Sequence, residues 1–157
     1  MTFEELIAGF AAKYGIEGLE ARDGAAVLEV DGMRVNILYD GPANTVTLCG
    51  EIGESPAEAE GRFGEVMLQA NFLFRGTEGA TLAQNPETGV FAIVRALELP
   101  WLDADAFSGA MERFVNQQEQ WKRLLADFRP IMLQGAKQVV PGESGMPMQF
   151  DQRFLKV

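Results

Sequence analysis

The sequence predicts an α+β fold in the order helix, three-stranded antiparallel meander, helix, two strands and long helix. Three observations predict it. Capping boxes at Thr2 and Ser55 begin the first two helices. Segments in which apolar residues alternate with a period of two lie between and after these helices. A third helical pattern follows Pro100. A chain of 157 residues buries roughly two thirds of its unfolded surface, so a single core is expected.

The first helix is predicted from about Phe3 to Tyr14. Thr2 and Glu5 form the capping box at its start, and Gly15 follows its end. Apolar residues recur at spacings of three and four, which indicates one apolar face: Phe3, Leu6, Ile7, Phe10, Ala11 and Tyr14.

The meander is predicted to begin with a strand from Ala25 to Val30. Asp31-Gly32 suits the positive φ angles of a two-residue hairpin turn. Met33 to Tyr39 is the second strand and Asn44 to Ile52 the third. Alternation predicts that one face of this sheet lies in the core, with Val35, Ile37, Val46, Leu48 and Ile52 pointing inward.

The second helix is predicted to begin after Ser55, with Pro56 at its first position, and to end near Arg75-Gly76. Its apolar stripe comprises Ala59, Phe63, Val66, Met67, Ala70 and Phe74. Thr77 to Gln84 is a candidate short strand, and Val90 to Leu99 is a stronger one. Because both faces of Val90 to Val94 are apolar, this strand is expected to be covered on both sides, by its own domain or by another subunit.

The segment from Leu97 to Phe107 predicts a sharp corner between the last strand and the last helix. Pro100 stops the strand, and Asp103 can cap the helix start. Leu102 before the cap and Phe107 inside the helix form a hydrophobic staple. The helix is predicted to run to about Phe128, with an aromatic seam of residues seven apart, namely Phe107, Phe114, Trp121 and Phe128.

The sequence divides into a domain over residues 1–128 and a C-terminal tail over residues 129–157. The tail is rich in Pro and Gly and has no clear period, yet it contains Met146, Met148, Phe150, Phe154 and Leu155. It carries four basic and two acidic side chains. We expect this apolar, slightly basic tail to pack on the acidic body of its own or a partner subunit.

Composition excludes several classes of function. The chain has no histidine, which removes Ser-His-Asp and Cys-His catalysis and His-ligated zinc. The single Cys49 cannot form an intrachain disulfide, and no phosphate-binding loop or other cofactor motif is present, so no cofactor or metal is expected. A net charge of −10 disfavours nucleic acid as a partner. No leader and no apolar run of ~20 residues is seen, so we expect a cytoplasmic protein without membrane insertion.

The remaining polar candidates are pairs of carboxylates and the lone thiol. Asp103 with Asp105, and Glu58 with Glu60, lie where helix starts favour acidic residues, so a structural role is expected for both pairs. Cys49 lies on the polar face of its strand without a neighbouring cation that favours a thiolate. Residues 1–60 hold 12 acidic and three basic side chains. This excess of negative charge either favours solubility or forms an acidic surface that binds a basic ligand.

The chain resembles the CesT/Tir-type chaperones of bacterial type III secretion. Four stretches carry the resemblance over residues 1–128: MTFEELIAGFAAKYG, VLEVDGMRVNILYD, SPAEAEGRFGEVMLQANFLF and TGVFAIVRALELPWLDADAFSGAMERFVNQQEQW. The pair Ala70-Asn71 near the end of the second helix, and the Leu-Pro step before an acidic-capped helix, are common in that family. The glycine-rich step before the fourth strand is reduced here to Gly76 and Gly79, and the tail is longer than the family pattern.

The resemblance implies an acidic homodimer that binds an unfolded N-terminal segment of a secreted effector without ATP. An extended ligand can add a strand to an open sheet edge and place apolar side chains in grooves. The implied effector-binding residues are Phe3, Leu6, Ile7 and Phe10 of the first helix, together with Val27 and Leu38. For the helix residues, a place in the intramolecular core is the alternative. The implied dimer interface comprises Phe63, Val66, Met67, Val90, Phe91, Ala92, Ile93 and Val94.

Three other functions stay open at this point. A regulator of the same fold could sequester a small protein partner through the same surfaces. A stand-alone structural or sensory domain predicts no stable polypeptide partner. An enzyme is disfavoured, since the sequence offers neither a histidine nor a nucleophile motif.

Overall fold

A computed structural model describes residues 1–54 and 62–128. The first helix, α1, spans Phe3–Tyr14, and the meander follows as β1 (Ala25–Val30), β2 (Met33–Asp40) and β3 (Thr45–Glu54). Helix α2 spans Arg62–Asn71, strands β4 and β5 span Thr81–Gln84 and Val90–Glu98, and α3 spans Ala104–Ala126. This element order and the α+β class confirm the prediction.

The five strands form one antiparallel sheet in the order β1-β2-β3-β5-β4. The turn between β1 and β2 has positive φ at both Asp31 and Gly32, as a two-residue hairpin turn requires. β3 extends to Glu54, two residues beyond the prediction, and a bulge between Glu51 and Gly53 shifts its register against β5. The two outermost strands of the sheet are therefore β1 and β4.

One face of the sheet is covered by the helices, and we call it the inner face. Its buried residues alternate along each strand as predicted and include Leu28, Val35, Ile37, Val46, Leu48, Ile52, Phe91 and Ile93. The opposite face, here the outer face, carries Val27 and Leu38, which are 45% and 46% exposed. The domain thus has two layers, helices on a sheet, and one side of the sheet faces outward.

Helix α3 carries the predicted aromatic seam into the core. Phe107, Phe114, Trp121 and Phe128 are all buried. The Asp103 Oδ1 atom accepts a hydrogen bond of 2.7 Å from the Ala106 amide, which confirms the predicted cap. Trp121 also ties α3 to the loop before β4, because its indole Nε1 donates to the Gly76 carbonyl at 3.1 Å.

The end of the second helix differs from the prediction. α2 stops at Asn71, and Phe72–Phe74 form a short 3-10 turn in which Leu73 and Phe74 have φ of 55° and 54°. The Phe74 side chain is exposed and does not continue the core stripe. The physical reason is a competing interaction, since the Asn71 side chain pairs with β4 and the Gly76 amide donates to the Ala70 carbonyl at 3.1 Å. β4 accordingly begins at Thr81 and not at Thr77.

Two predictions lie outside the described residues. They are the start of the second helix at Ser55 to Glu58, with Glu60, and the docking of the tail over residues 129–157. The last described residue, Phe128, packs on Phe63 with ring centroids 5.1 Å apart.

Candidate partner-binding surfaces

The open edge of the sheet is the outward side of β1. In an antiparallel ladder the backbone groups of alternate residues point toward the neighbouring strand, and those of the others point away. The two-residue turn makes Val30 and Met33 a hydrogen-bonded pair, so the N–H and C=O groups of Val27 and Glu29 point away from β2. Ala25 shares this orientation, but its amide and carbonyl are already paired with Arg22. The free stretch of edge is therefore Val27 to Glu29.

The other edge, on β4, is closed at Leu82 by a side chain. The Asn71 Oδ1 atom accepts a hydrogen bond of 2.8 Å from the Leu82 amide, and Asn71 Nδ2 donates to the Leu82 carbonyl at 3.0 Å. A carboxamide therefore occupies the donor and acceptor that a further strand would use at this position. The sequence analysis singled out the pair Ala70-Asn71, and the structure shows that the Asn71 side chain closes the β4 edge at Leu82.

The helix-1 residues predicted to bind effector lie in the core of the domain. Leu6 and Ile7 have no exposed surface, while Phe3 stacks on Tyr39 and Phe10 contacts the edge of Phe107 with ring centroids 5.4 and 5.2 Å apart. In this arrangement the four side chains hold α1 against the sheet and α3, which agrees with the intramolecular alternative. Their contact with a partner stays a prediction.

Val27 and Leu38 lie where the alternation predicted them, on the outer face, and both side chains are exposed. Neighbouring positions of the same face are filled by small or polar residues, including Ala25, Thr47 and Ala96. An extended ligand at the β1 edge would pass directly beside Val27. Of the six predicted effector-binding residues, these two are accessible at the surface.

The predicted dimer residues divide in the same way. Phe63 and Met67 of α2, and Phe91 and Ile93 of β5, are buried on the inner side, and Phe63 contacts both Phe91 and Trp121. Ala92 is buried on the outer face. Val66, Val90 and Val94 are half-buried and retain accessible surface. The dimer interface stays a prediction. The predicted residues that are buried would support it by packing behind the surface.

An exposed apolar patch that the sequence analysis did not identify lies at the end of α2. It comprises Leu68, Phe72, Leu73 and Phe74, which are between 49% and 71% exposed. Leu68 lies on the outward side of α2, and the 3-10 turn after Asn71 adds Phe72, Leu73 and Phe74, of which Phe74 belonged to the predicted buried stripe. Large contiguous apolar surfaces mark protein interfaces in soluble proteins. In the sequence, the run Phe-Leu-Phe directly after Asn71 was the signal that could have predicted this patch.

A trough of about 480 Å³ crosses the outer face between β3 and β4. Its floor is apolar and contains Val90, Ala92 and Val94, with Cys49 beside them. Glu51 and Glu87 lie at its rim, and no basic residue lines it among the described residues. Burial, and then the charge of Glu51, raise the pKa of the Cys49 thiol, so the thiol is protonated at neutral pH.

The acidic residues at the start of α3 have structural partners. Asp103 caps the helix, and Asp105 accepts a hydrogen bond of 2.5 Å from the Lys13 ammonium, which joins α3 to the end of α1. Within residues 1–54 and 62–128, no three His, Cys, Asp or Glu side chains group as metal ligands do. The same ranges contain no helix that is both long and apolar enough to span a bilayer.

A sequence model described as the Tir chaperone protein (CesT) family matches residues 5–122. No curated protein sequence matches the chain significantly.

Several solved structures share the fold. The ExsC–ExsE complex aligns with a TM-score of 0.66 and 20% identity, covering 80% of this chain and 97% of the other. The SpcU–ExoU complex of the type III secretion system of Pseudomonas aeruginosa aligns with a TM-score of 0.61 and 17% identity, covering 79% and 98%. The Yersinia pestis type III secretion chaperone SycH, bound to a fragment of YscM2, aligns with a TM-score of 0.62 and 14% identity, covering 76% and 99%. At these identities the likeness establishes the fold.

Proposed function

Because the chain belongs to the Tir chaperone protein (CesT) family, we propose that it is a type III secretion chaperone that binds an unfolded segment of a secreted effector. It keeps that segment competent for export without ATP and without a chemical step. Similar folds occur in a chaperone–effector complex and in a secretion chaperone bound to a fragment of another protein. The protein acts in the bacterial cytoplasm.

One observation carries the proposal for the binding site: within the described residues the β1 edge of the sheet is open from Val27 to Glu29, and it borders the exposed Val27 side chain. An added strand gains backbone hydrogen bonds from the edge, and its alternate side chains contact the outer face. Closure of the β4 edge by Asn71 favours β1 over β4 as the docking strand. The acidic first part of the chain favours a ligand segment with basic residues.

We propose in addition that the protein is a homodimer and that the patch of Leu68, Phe72, Leu73 and Phe74 contributes to its interface. The patch is continuous in sequence with the predicted interface residues Val66 and Met67 of α2. Burial of this apolar surface between two copies contributes favourably to the free energy of dimerisation.

The experiment begins with capture of the tagged protein from its native bacterium and identification of the bound polypeptide by mass spectrometry. We expect a secreted effector bound through its N-terminal segment. A small regulatory protein as the sole partner would instead support the sequestering alternative. Recovery of no polypeptide would support a stand-alone domain.

The captured effector then tests the β1 edge directly. Glu29→Pro removes the outward-pointing N–H, and proline is tolerated on an edge strand where the amide makes no ladder bond. We expect the affinity for the effector to fall about tenfold, which corresponds to the loss of about one backbone hydrogen bond. Glu29→Ala removes the same side chain but keeps the N–H, and it serves as the matched control. Equal affinities for the two variants would exclude strand addition at this edge.

A further inference from the structure

The outer face of the sheet carries an apolar trough that nothing in the described chain covers. Val90, Ala92 and Val94 lie at alternate positions of β5 and form its floor, and the pleat places all three on the same face. Glu51 and Glu87 at the rim give the trough a negative border. Its occupant should therefore present apolar side chains at every second residue, with positive charge nearby.

The C-terminal tail of the chain has this pattern. Met146, Met148 and Phe150 alternate with other residues, so an extended segment would present all three on one face. Arg153 and Lys156 follow within six residues. The tail as a whole carries four basic and two acidic side chains, whereas residues 1–128 carry nine basic and 21 acidic ones. Charge and apolar spacing of the tail both complement the trough.

The position of Phe128, the last described residue before the tail, also allows the tail to reach the trough. Phe128 packs on Phe63, and Phe63 in turn contacts Phe91, the residue next to Val90 in β5. The tail therefore begins at the end of the sheet where the trough lies, but on the inner side. Residues 129–145 reach as far as about 55 Å when extended, well beyond the ~10 Å needed to pass around a sheet.

We propose that residues 146–156 of the chain dock on the outer face of the same subunit and cover the trough beside Cys49. The apolar side chains fill the floor, and the two basic residues approach the acidic rim. The tail is then an internal ligand that shields an apolar sheet face in the free protein. It takes the place of a second subunit over Val90, Ala92 and Val94, so the proposed dimer meets through α2. This docking does not depend on the proposed secretion role.

Cys49 makes the proposal measurable, because it is the only thiol of the chain and lies in the trough. Its rate of reaction with 5,5′-dithiobis(2-nitrobenzoate) reports whether the trough is covered. In the 157-residue chain, Met148→Asp with Phe150→Asp should raise this rate about tenfold, as expected when a segment docked about nine-tenths of the time is released. Gln149→Asp with Val157→Asp adds the same charge at positions of opposite alternation, and it should leave the rate near that of the parent protein.

A second measurement identifies which copy supplies the tail. Met148→Cys should form a disulfide with Cys49 under mild oxidation, and intact mass should show it within one chain. Disulfides found only between chains would overturn docking on the same subunit in favour of exchange between two copies. Equal thiol rates in all variants, with no disulfide to Cys49, would show that the tail does not cover the trough. Unchanged far-ultraviolet circular dichroism of the variants would exclude unfolding as the cause of any faster reaction.

Discussion

The carboxamide of Gln118 occupies the space that a side chain on Gly50 would need. A β-carbon on Gly50 would lie 2.6 Å from both Nε2 and Oε1 of Gln118. Nε2 donates hydrogen bonds to the carbonyls of Arg34 at 3.2 Å and Glu51 at 3.0 Å. The register of β2 and β3 would make Arg34 and Glu51 the next hydrogen-bonded pair after Asn36 and Cys49. A side chain of α3 thus bridges β2 and β3 by donating to one carbonyl of each strand.

Substitution of Gly50 by Ala should destabilise the fold by about 1–3 kcal/mol, the cost of forcing an extra group into a packed core. The reason is the displacement of Gln118 from its two carbonyl partners. Urea denaturation measures the free energy of unfolding. Gly9→Ala is the matched control, because Gly9 lies in α1 with open space around it, and there Ala should stabilise by about 0.5–1 kcal/mol.

Truncation of Gln118 to Ala should remove most of the penalty of Gly50→Ala. In the double-mutant cycle the two substitutions should couple by at least about 1 kcal/mol, since the space that one requires is vacated by the other. The single variant Gln118→Ala should itself lose about 1–3 kcal/mol, because the carbonyls of Arg34 and Glu51 lose the amide that donates to them. Gln120→Ala, at an exposed position of the same helix, should change the stability little. Strict additivity of the two core substitutions would contradict the contact.

Substitution of Asn71 by Ala should open the β4 edge. The Leu82 amide and carbonyl lose their partners, and a loss of about 1–2 kcal/mol is expected for the pair of hydrogen bonds. Amide hydrogen exchange followed by NMR should show faster exchange at Leu82. Asn116→Ala changes the same residue type at an exposed position of α3 and is the control. Unchanged exchange at Leu82 would show that this side chain does not close the edge.

The ion pair between Lys13 and Asp105 should add a small, pH-dependent stability. The hydrogen bond from Lys13 lowers the pKa of Asp105 below 3.8, and the same bond raises the pKa of Lys13 above 10.5. The Asp105 contribution is therefore present above pH 3.8 and is lost as the pH falls through the lowered pKa. The Lys13 contribution is present below pH 10.5 and is lost as the pH rises through the raised pKa.

Melting temperatures of the parent and of Asp105→Asn should differ slightly at neutral pH and converge in strong acid. Both groups are accessible to solvent, so the difference should also shrink at high salt. Glu20→Gln removes the local pair with Arg22, two residues away, and serves as a control without a link between elements. A difference that persists at low pH would mean that Asp105 acts through something other than its charge.

Substitution of Leu68 by Glu should convert the proposed dimer to a monomer. Leu68 is 71% exposed, so the change leaves the core intact while placing a charge in the apolar patch. Light scattering gives the mass in solution. Leu124→Glu changes an exposed leucine of α3 outside the patch and should leave the mass of the parent. Equal masses for the two variants would place the interface elsewhere.

Much of the fold followed from local signals. The bounds of α1 and β1, the Asp31-Gly32 turn and the buried seam of α3 each depend on capping, turn chemistry or spacing within a few residues. The end of α2 did not follow, because the side chain of its last residue, Asn71, bonds to Leu82 of β4, 11 residues away, and the chain leaves the helical conformation at Leu73. The role of Gln118 depends on strands that lie 67 and 84 residues earlier in the chain.

The binding surfaces were harder to predict for a related reason. An apolar helical stripe has the same spacing whether it meets its own core or a partner, so Phe3, Leu6, Ile7 and Phe10 could not be assigned from sequence. Val27 and Leu38 could be assigned to the outer face, because the alternation of side chains along a strand separates its two faces. Which strand lies at an open edge depends on the strand order in the sheet. Here β5 lies beside β3 and β4 lies outside it, so the order differs from the order in the sequence.

The hydrogen bonds from Gln118 to β2 and β3 have a consequence for folding during synthesis. The meander of β1, β2 and β3 pairs neighbours in sequence, so it can form as soon as it is made. The bridge between β2 and β3 and the cover of the apolar inner face remain incomplete until the second half of α3, from Gln118, and Phe128 just after the helix have left the ribosome. Nearly the whole domain must therefore be translated before its first half is secured, and a chain that stalls before α3 is complete exposes an unfinished sheet.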